Sequence, residues 1–138
     1  MAIDFGERRI GIALSDEAGR IALPWGTLER RNDRSAMRQI ADLARREGVG
    51  RFVLGDPRTV AGAAGAASAR VRRFGDRLAE LTGMPVELVG EALTSVEAAE
   101  RLRQAGVDPR REPGRIDAVA AQILLEEALG RGDGGDRR

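Results

Sequence analysis

The sequence predicts an α/β domain organised on one five-stranded mixed sheet, antiparallel in its first part, parallel in its second, and flanked by helices. Three observations carry this. Short apolar runs crowd the first 23 residues with no room for a helix between them; amphipathic segments and short apolar runs then alternate; and the last third of the chain is helical in its spacing. At 138 residues the chain suffices for one domain that buries about 68–70% of its unfolded surface.

Residues 2–5 and 8–15 read as two strands, with Gly6-Glu7 as the turn between them. Residues 21–23 read as a third, ended by Pro24. Asn32 or Asp33 can cap a helix over 34–47, where Met37, Ile40, Ala41, Leu43 and Ala44 form an apolar stripe and Gly48 marks the stop. Residues 51–54 form a compact β run, followed by the loop GDPRTVAGAAG, whose glycines and proline interrupt regular structure. Helical spacing returns over 66–81, residues 86–89 form the fifth strand, and TSVEAAERLRQAG is a helix opened by Thr94 and Glu97 as a capping box. By composition GVDPRREPG is a mobile connector. The last helix is expected over 115–129, giving a single domain over 1–130 and a disordered tail over 131–138.

Composition narrows the chemistry. The chain has no Cys, His or Tyr, which removes thiol nucleophiles, disulfides, zinc sites of the Cys/His type and any triad with an imidazole base. Carboxylates, arginines, hydroxyls and backbone remain, and carboxylates are the natural ligands of hard cations such as Mg²⁺ or Mn²⁺. All 23 basic side chains are Arg, yet the net charge is only +1, so distribution counts for more than the total. Hydrophobic residues at 42% and charged residues at 33%, with no apolar run near the ~18 residues of a membrane span and no signal-peptide pattern, predict a cytoplasmic protein without a membrane partner.

Three acids stand out. Asp4 lies between Ile3 and Phe5 at the end of the first strand, Glu91 just past the fifth strand, and Asp117 in the first turn of the last helix. Singly, each has an ordinary explanation: a turn contact at Gly6, a solvated carboxylate before a helix, and a helix N-terminus that favours negative charge. Together, carboxylates gathered in a fold repel one another, and a shared cation relieves that cost. Such a site activates water and stabilises a leaving oxygen in phosphodiester hydrolysis without any His.

The run AIDFGERRIGIALSD, followed by VLGDPRTVAGAAG, FGDRLAELTGMPVELVGEALTS and RIDAVAAQILLEEAL, resembles the YqgF/RuvX family. Its members are described as Holliday-junction resolvases and as pre-16S rRNA nucleases with an RNase H-like fold, and the resemblance spans nearly the whole chain. It implies that Asp4, Glu91 and Asp117 are catalytic metal ligands for Mg²⁺ or Mn²⁺. The family's glycine-rich loop falls on Gly55, Pro57 and Gly62, with Arg58 and Thr59 as phosphate contacts. Gly6, Arg8, Arg9 and Arg115 are the further substrate-binding candidates. The implied partner is precursor rRNA or branched DNA, and cutting two strands would suit a homodimer. Where the family usually reads Asp-Glu-Arg-Leu-Thr, this chain has Gly90-Glu91-Ala92-Leu93-Thr94. One acid and one Arg are thus absent, which leaves open a second reading as a catalytically weakened RNase H-like nucleic-acid-binding module. A third, a nucleotide pocket of the actin-like kind, lacks a second phosphate loop and enough chain for two lobes.

Overall fold

In the computed structural model, residues 1–57, 65–90 and 94–133 are described. Alternation decides the first step of the fold. In β1 (Ala2–Phe5) and β2 (Arg9–Ser15), Ile3, Phe5, Ile10 and Ile12 point to one side of the sheet, while Ala2, Asp4, Gly11 and Ala13 point to the other. The two strands pair antiparallel with Asp4 opposite Gly11, and β2 pairs antiparallel with β3 (Ala22–Glu29). The parallel half follows, with β4 (Phe52–Asp56) beside β1 and β5 (Val86–Gly90) beside β4, so that the sheet order is β3-β2-β1-β4-β5. This is the five-stranded mixed sheet that the sequence predicts.

Two strands run more than one residue beyond the sequence reading. Pro24 does not end β3, which continues to Glu29. β3 is an edge strand, where a residue without an N–H is tolerated, and the register shifts there, with Ile12 opposite Gly26 and Ala13 opposite Pro24. Trp25 is therefore the extra residue of a bulge. β4 likewise runs two residues beyond the expected 51–54, so Gly55 and Asp56 are strand residues.

Helices cover both faces. α1 (Asp33–Glu47) begins at Asn32, whose side chain accepts the Ser35 N–H, and ends at Gly48 with φ 69°. The positive φ is the left-handed conformation that glycine adopts at low cost. α2 (Ala66–Thr82) ends on Gly83 in the same way. Together α1 and α2 bury Ile3, Ile10, Ile12, Phe52 and Leu54 under Ile40, Leu43, Phe74 and Leu78. On the opposite face α4 (Pro113–Asp133) places Ala121, Leu124 and Leu125 over Ala2, Ala13, Val53 and Val89. α3 (Thr94–Gln104) packs through Ala98 and Leu102 on Val119, Ala120 and Ile123 of α4.

The last helix is longer than the expected 115–129 at both ends. It starts at Pro113, whose fixed φ and missing N–H suit the first helical position. No described helix is long and apolar enough to cross a membrane.

Two loop carboxylates organise their turns. Asp16 Oδ1 accepts the N–H groups of Arg20 at 2.8 Å and Ile21 at 3.0 Å, closing the β2–β3 connection. Asp108 accepts the Arg110 N–H at 3.0 Å within the connector before α4, so this segment is folded into turns despite its composition. These backbone bonds hold both carboxyls below their ordinary value. A carboxyl with a depressed folded pKa contributes fully above its unfolded pKa and loses that contribution as pH falls through the lower, folded one. The Arg20 and Ile21 amide signals are thus expected to titrate together, with a midpoint below the ordinary Asp value of 3.8. A midpoint at or above that value in NMR pH titration would contradict the bond.

Candidate active site

The carboxyl ends of the parallel strands lie along one edge of the sheet, with β1 ending at Phe5 and Asp56 of β4 in register with Gly90 of β5. Ligand sites of open α/β sheets gather at such an edge. Asp4 stands here, half-buried, on the face that α4 covers.

What brings Asp117 to it is Gly11. A Cβ built on Gly11 would lie 2.0 Å from the Asp117 carbonyl oxygen and 3.0 Å from the Asp117 Cβ. Only a residue without a side chain lets α4 settle so closely on β2. The helix begins at Pro113, so Asp117 stands beyond its first turn rather than within it, where the sequence reading expects it. Because Gly11 is the cross-strand partner of Asp4, that close contact seats Asp117 against the strand position opposite Asp4. Residues 108 apart in sequence then join directly, as Arg9 Nε of β2 donates to Asp117 Oδ2 at 2.6 Å. Side-chain exposures of 42% for Arg9 and 22% for Asp117 keep the pair within reach of solvent, where an ion pair contributes little to stability.

The turn that follows Asp4 is tightly held. Gly6 N–H donates to the carbonyls of Asp4 and Arg9, each at 3.1 Å. A Cβ on Gly6 would meet the Arg9 carbonyl oxygen at 2.5 Å, so glycine is required there by the turn itself. Arg30 secures the turn from outside: its guanidinium donates to the carbonyls of Gly6 at 3.1 Å and Glu7 at 3.3 Å, pairs with Asp33 and stacks 4.3 Å over the Phe5 ring. Phe5 in turn packs on Phe74 at 4.5 Å between centroids. Sequence reading noted Arg30 only as one of many arginines, since nothing local separates a buried clamp from a solvated charge.

A second group was read from the sequence only as part of a loop. Asp56, buried at the end of β4, accepts from Ser68 Oγ at 2.6 Å and from Arg72 at 3.2 Å. These α2 partners satisfy a carboxylate that would otherwise be costly in the core. The sequence signal was an acid closing an apolar run, the same signal that Asp4 gives.

The remaining expected residues divide. Arg8 is exposed on the β1–β2 turn, and Arg115 is exposed at the start of α4, 3.4 Å from Glu112. Gly55 is buried within β4, opposite Val89, rather than standing in a loop. Glu91, Arg58, Thr59 and Gly62 lie outside the described residues. Among the described residues no group of three acidic, His or Cys side chains stands together. Asp4 and Asp117 nevertheless supply the hard oxygen donors that suit Mg²⁺ or Mn²⁺.

Compared with solved structures, the fold matches Thermus thermophilus RuvC in complex with Holliday junction substrate, with a TM-score of 0.56 and 16% identity over 96% of this chain and 94% of that one. A second T. thermophilus RuvC structure matches with a TM-score of 0.56 and 17% identity over the same shares. The architecture is thus the RNase H-like fold of the RuvC type. The sequence takes the assignment further, since residues 1–131 match the family described as RuvX, Holliday junction resolvase, and the chain belongs to that family. Relatives carrying the name "Putative pre-16S rRNA nuclease" include one from Chloroflexus aggregans, 44% identical over 94% of this chain and 91% of its own length. Another, from Anaeromyxobacter sp., is 39% identical over 91% and 92%. The family is one of nucleases.

Replacing Gly11 with Ala tests the contact that assembles the site. Overpacking against backbone costs about 1–3 kcal/mol or more, and a 2.0 Å clash puts Gly11→Ala at the upper end in urea denaturation. Wild-type stability in this variant would show that α4 does not rest on Gly11.

Proposed function

We propose that the chain is a metal-dependent endonuclease that hydrolyses phosphodiester bonds in structured nucleic acid, acting in 5′-end processing of precursor 16S rRNA or in resolution of branched DNA. The observation that supports this reading is the close seat of Asp117 on Gly11, the cross-strand partner of Asp4, near the carboxyl edge of the parallel strands. Family membership and the names of the relatives support the same class of chemistry.

Asp4 and Asp117, with Glu91 as the third ligand, would hold Mg²⁺ or Mn²⁺, which supplies Lewis-acid stabilisation of charge on a phosphoryl oxygen and lowers the pKa of water. The chain's own residues do the positioning. Asp4 is fixed by its strand and by the turn that Arg30 clamps. Arg9 balances the charge of Asp117 in the resting site, and its planar fork has further N–H donors suited to a phosphate oxygen. Arg8, exposed on the same turn, adds positive charge where the backbone of a nucleic acid would arrive.

Cleavage of precursor 16S rRNA and of four-way junctions in Mg²⁺ or Mn²⁺ is the test. Asp4→Asn is expected to lose on the order of 100-fold or more in rate, because even residues that merely support metal ligands are worth about 10–100-fold. Equal activity of Asp4→Asn and wild type would refute the mechanism.

Gly90, exposed at the end of β5, supplies no carboxylate to this edge and favours a second reading, a nucleic-acid-binding module with weakened chemistry. A ligand that binds only the folded state raises its melting temperature. Millimolar Mn²⁺ is therefore expected to raise the melting temperature of the wild type and not that of Asp4→Asn. An unchanged wild-type melting temperature, with salt-dependent nucleic-acid binding and no cleavage, would establish the binding module instead.

A further inference from the structure

Trp25 is the only tryptophan of the chain, and it is 44% exposed on the edge strand β3. An indole left in solvent is informative when its surroundings form a shape. Together with Thr27 and with Gly114, Arg115 and Val119 of α4, Trp25 lines an open cleft of about 580 Å³. Gly114 brings the helix close to this edge, since a Cβ there would lie 3.4 Å from Thr27 Oγ1. Thr27 of the cleft is the cross-strand partner of Gly11, on which Asp117 rests, so the cleft lies next to the candidate acidic site. The Arg115 pairing with Glu112 is 3.4 Å long and about half exposed on both sides, a contact that yields readily to a stronger anion.

The edge itself argues about the occupant. Pro24 and the bulge at Trp25 interrupt the row of backbone donors and acceptors that another strand would need, which disfavours extension of the sheet by a second copy of the chain. An aromatic face beside an Arg is instead the pairing that holds a nucleobase by stacking and its phosphate by charge, without choice of sequence.

We infer that Trp25 is a stacking platform for an unpaired nucleobase next to the scissile phosphate, with Arg115 on the adjoining phosphate, so that the substrate carries a single-stranded flank at its structured region. This rests on the nuclease reading and specifies the substrate for it. Base stacking on an aromatic side chain is sequence-tolerant and lost on truncation to Ala.

A single tryptophan makes the test direct. Asp4→Asn protein is titrated with a fluorescently labelled single-stranded oligoribonucleotide and, separately, with a blunt duplex of the same sequence, while Trp25 emission and label anisotropy are followed together. Quenching of Trp25 by the single strand and not by the duplex is expected. Trp25→Ala should bind the single strand about tenfold more weakly, whereas Trp25→Phe should stay within about threefold of the parent, with circular dichroism melting confirming that both variants fold. Anisotropy that reports single-strand binding while Trp25 emission is unchanged, or equal affinity of Trp25→Ala and parent, overturns the inference and leaves the nuclease reading intact. A Trp25→Ala protein that changes from dimer to monomer in size-exclusion chromatography with unaltered affinity also overturns it, in favour of an interface between copies. Failure of wild type and Asp4→Asn to bind any of the nucleic acids overturns the nuclease reading and the inference with it.

Discussion

The approach of α4 to Gly11 is the constraint on which the site depends. A sheet face normally meets a helix through side chains on both partners, which keeps the two backbones apart. Here one partner contributes none, and the Asp117 carbonyl lies where a Cβ of residue 11 would stand. The closeness is local to the start of α4. Farther along, Ala121, Leu124 and Leu125 share one cluster with Ala2, Ala13, Val53 and Val89, so the apolar side chains carry the packing while the glycine sets the distance. The ion pair of Arg9 with Asp117 follows from that placement and contributes little to it.

The order of elements was legible because each left a local signal. Asn32 and Gly48 bracket α1 as a side-chain cap and a left-handed stop, and the alternation in residues 2–5 and 9–15 distinguishes the buried Ile face from the small-residue face before any contact is known. The errors fell where the tertiary setting overrides a local rule. Pro24 reads as a terminator, but on an edge strand its missing donor is not needed. Gly55 and Asp56 read as loop, yet Asp56 completes β4 because Ser68 and Arg72 on α2 receive its carboxylate.

For the site, Asp4 was legible because a charge within an apolar strand calls for a reason. Asp117 stood out as an acid of the last helix, but its placement near Asp4 was not legible from spacing, since that depends on a crossover that no local pattern encodes, and its role as a metal ligand came from the resemblance to a family. Arg30 shows the opposite limit. In a chain whose cations are all arginine, the one that holds the Gly6-Glu7 turn and stacks on Phe5 has the same local signature as those on the surface. Only the number of elements meeting at a side chain separates the two, and that is a property of the fold.

The separation of 108 positions between Arg9 and Asp117 has a consequence for how the candidate site is assembled. β1 and β2 pair with each other as neighbours in sequence, whereas Asp117 is carried by the last of the described elements. The acid of β1 is thus positioned by a local pairing, whereas Asp117 reaches its place only through a long-range closure, the kind of contact that forms more slowly in folding. Displacing α4 alone would therefore separate Asp117 from Arg9 while leaving the hairpin and the turn that holds Asp4 in place.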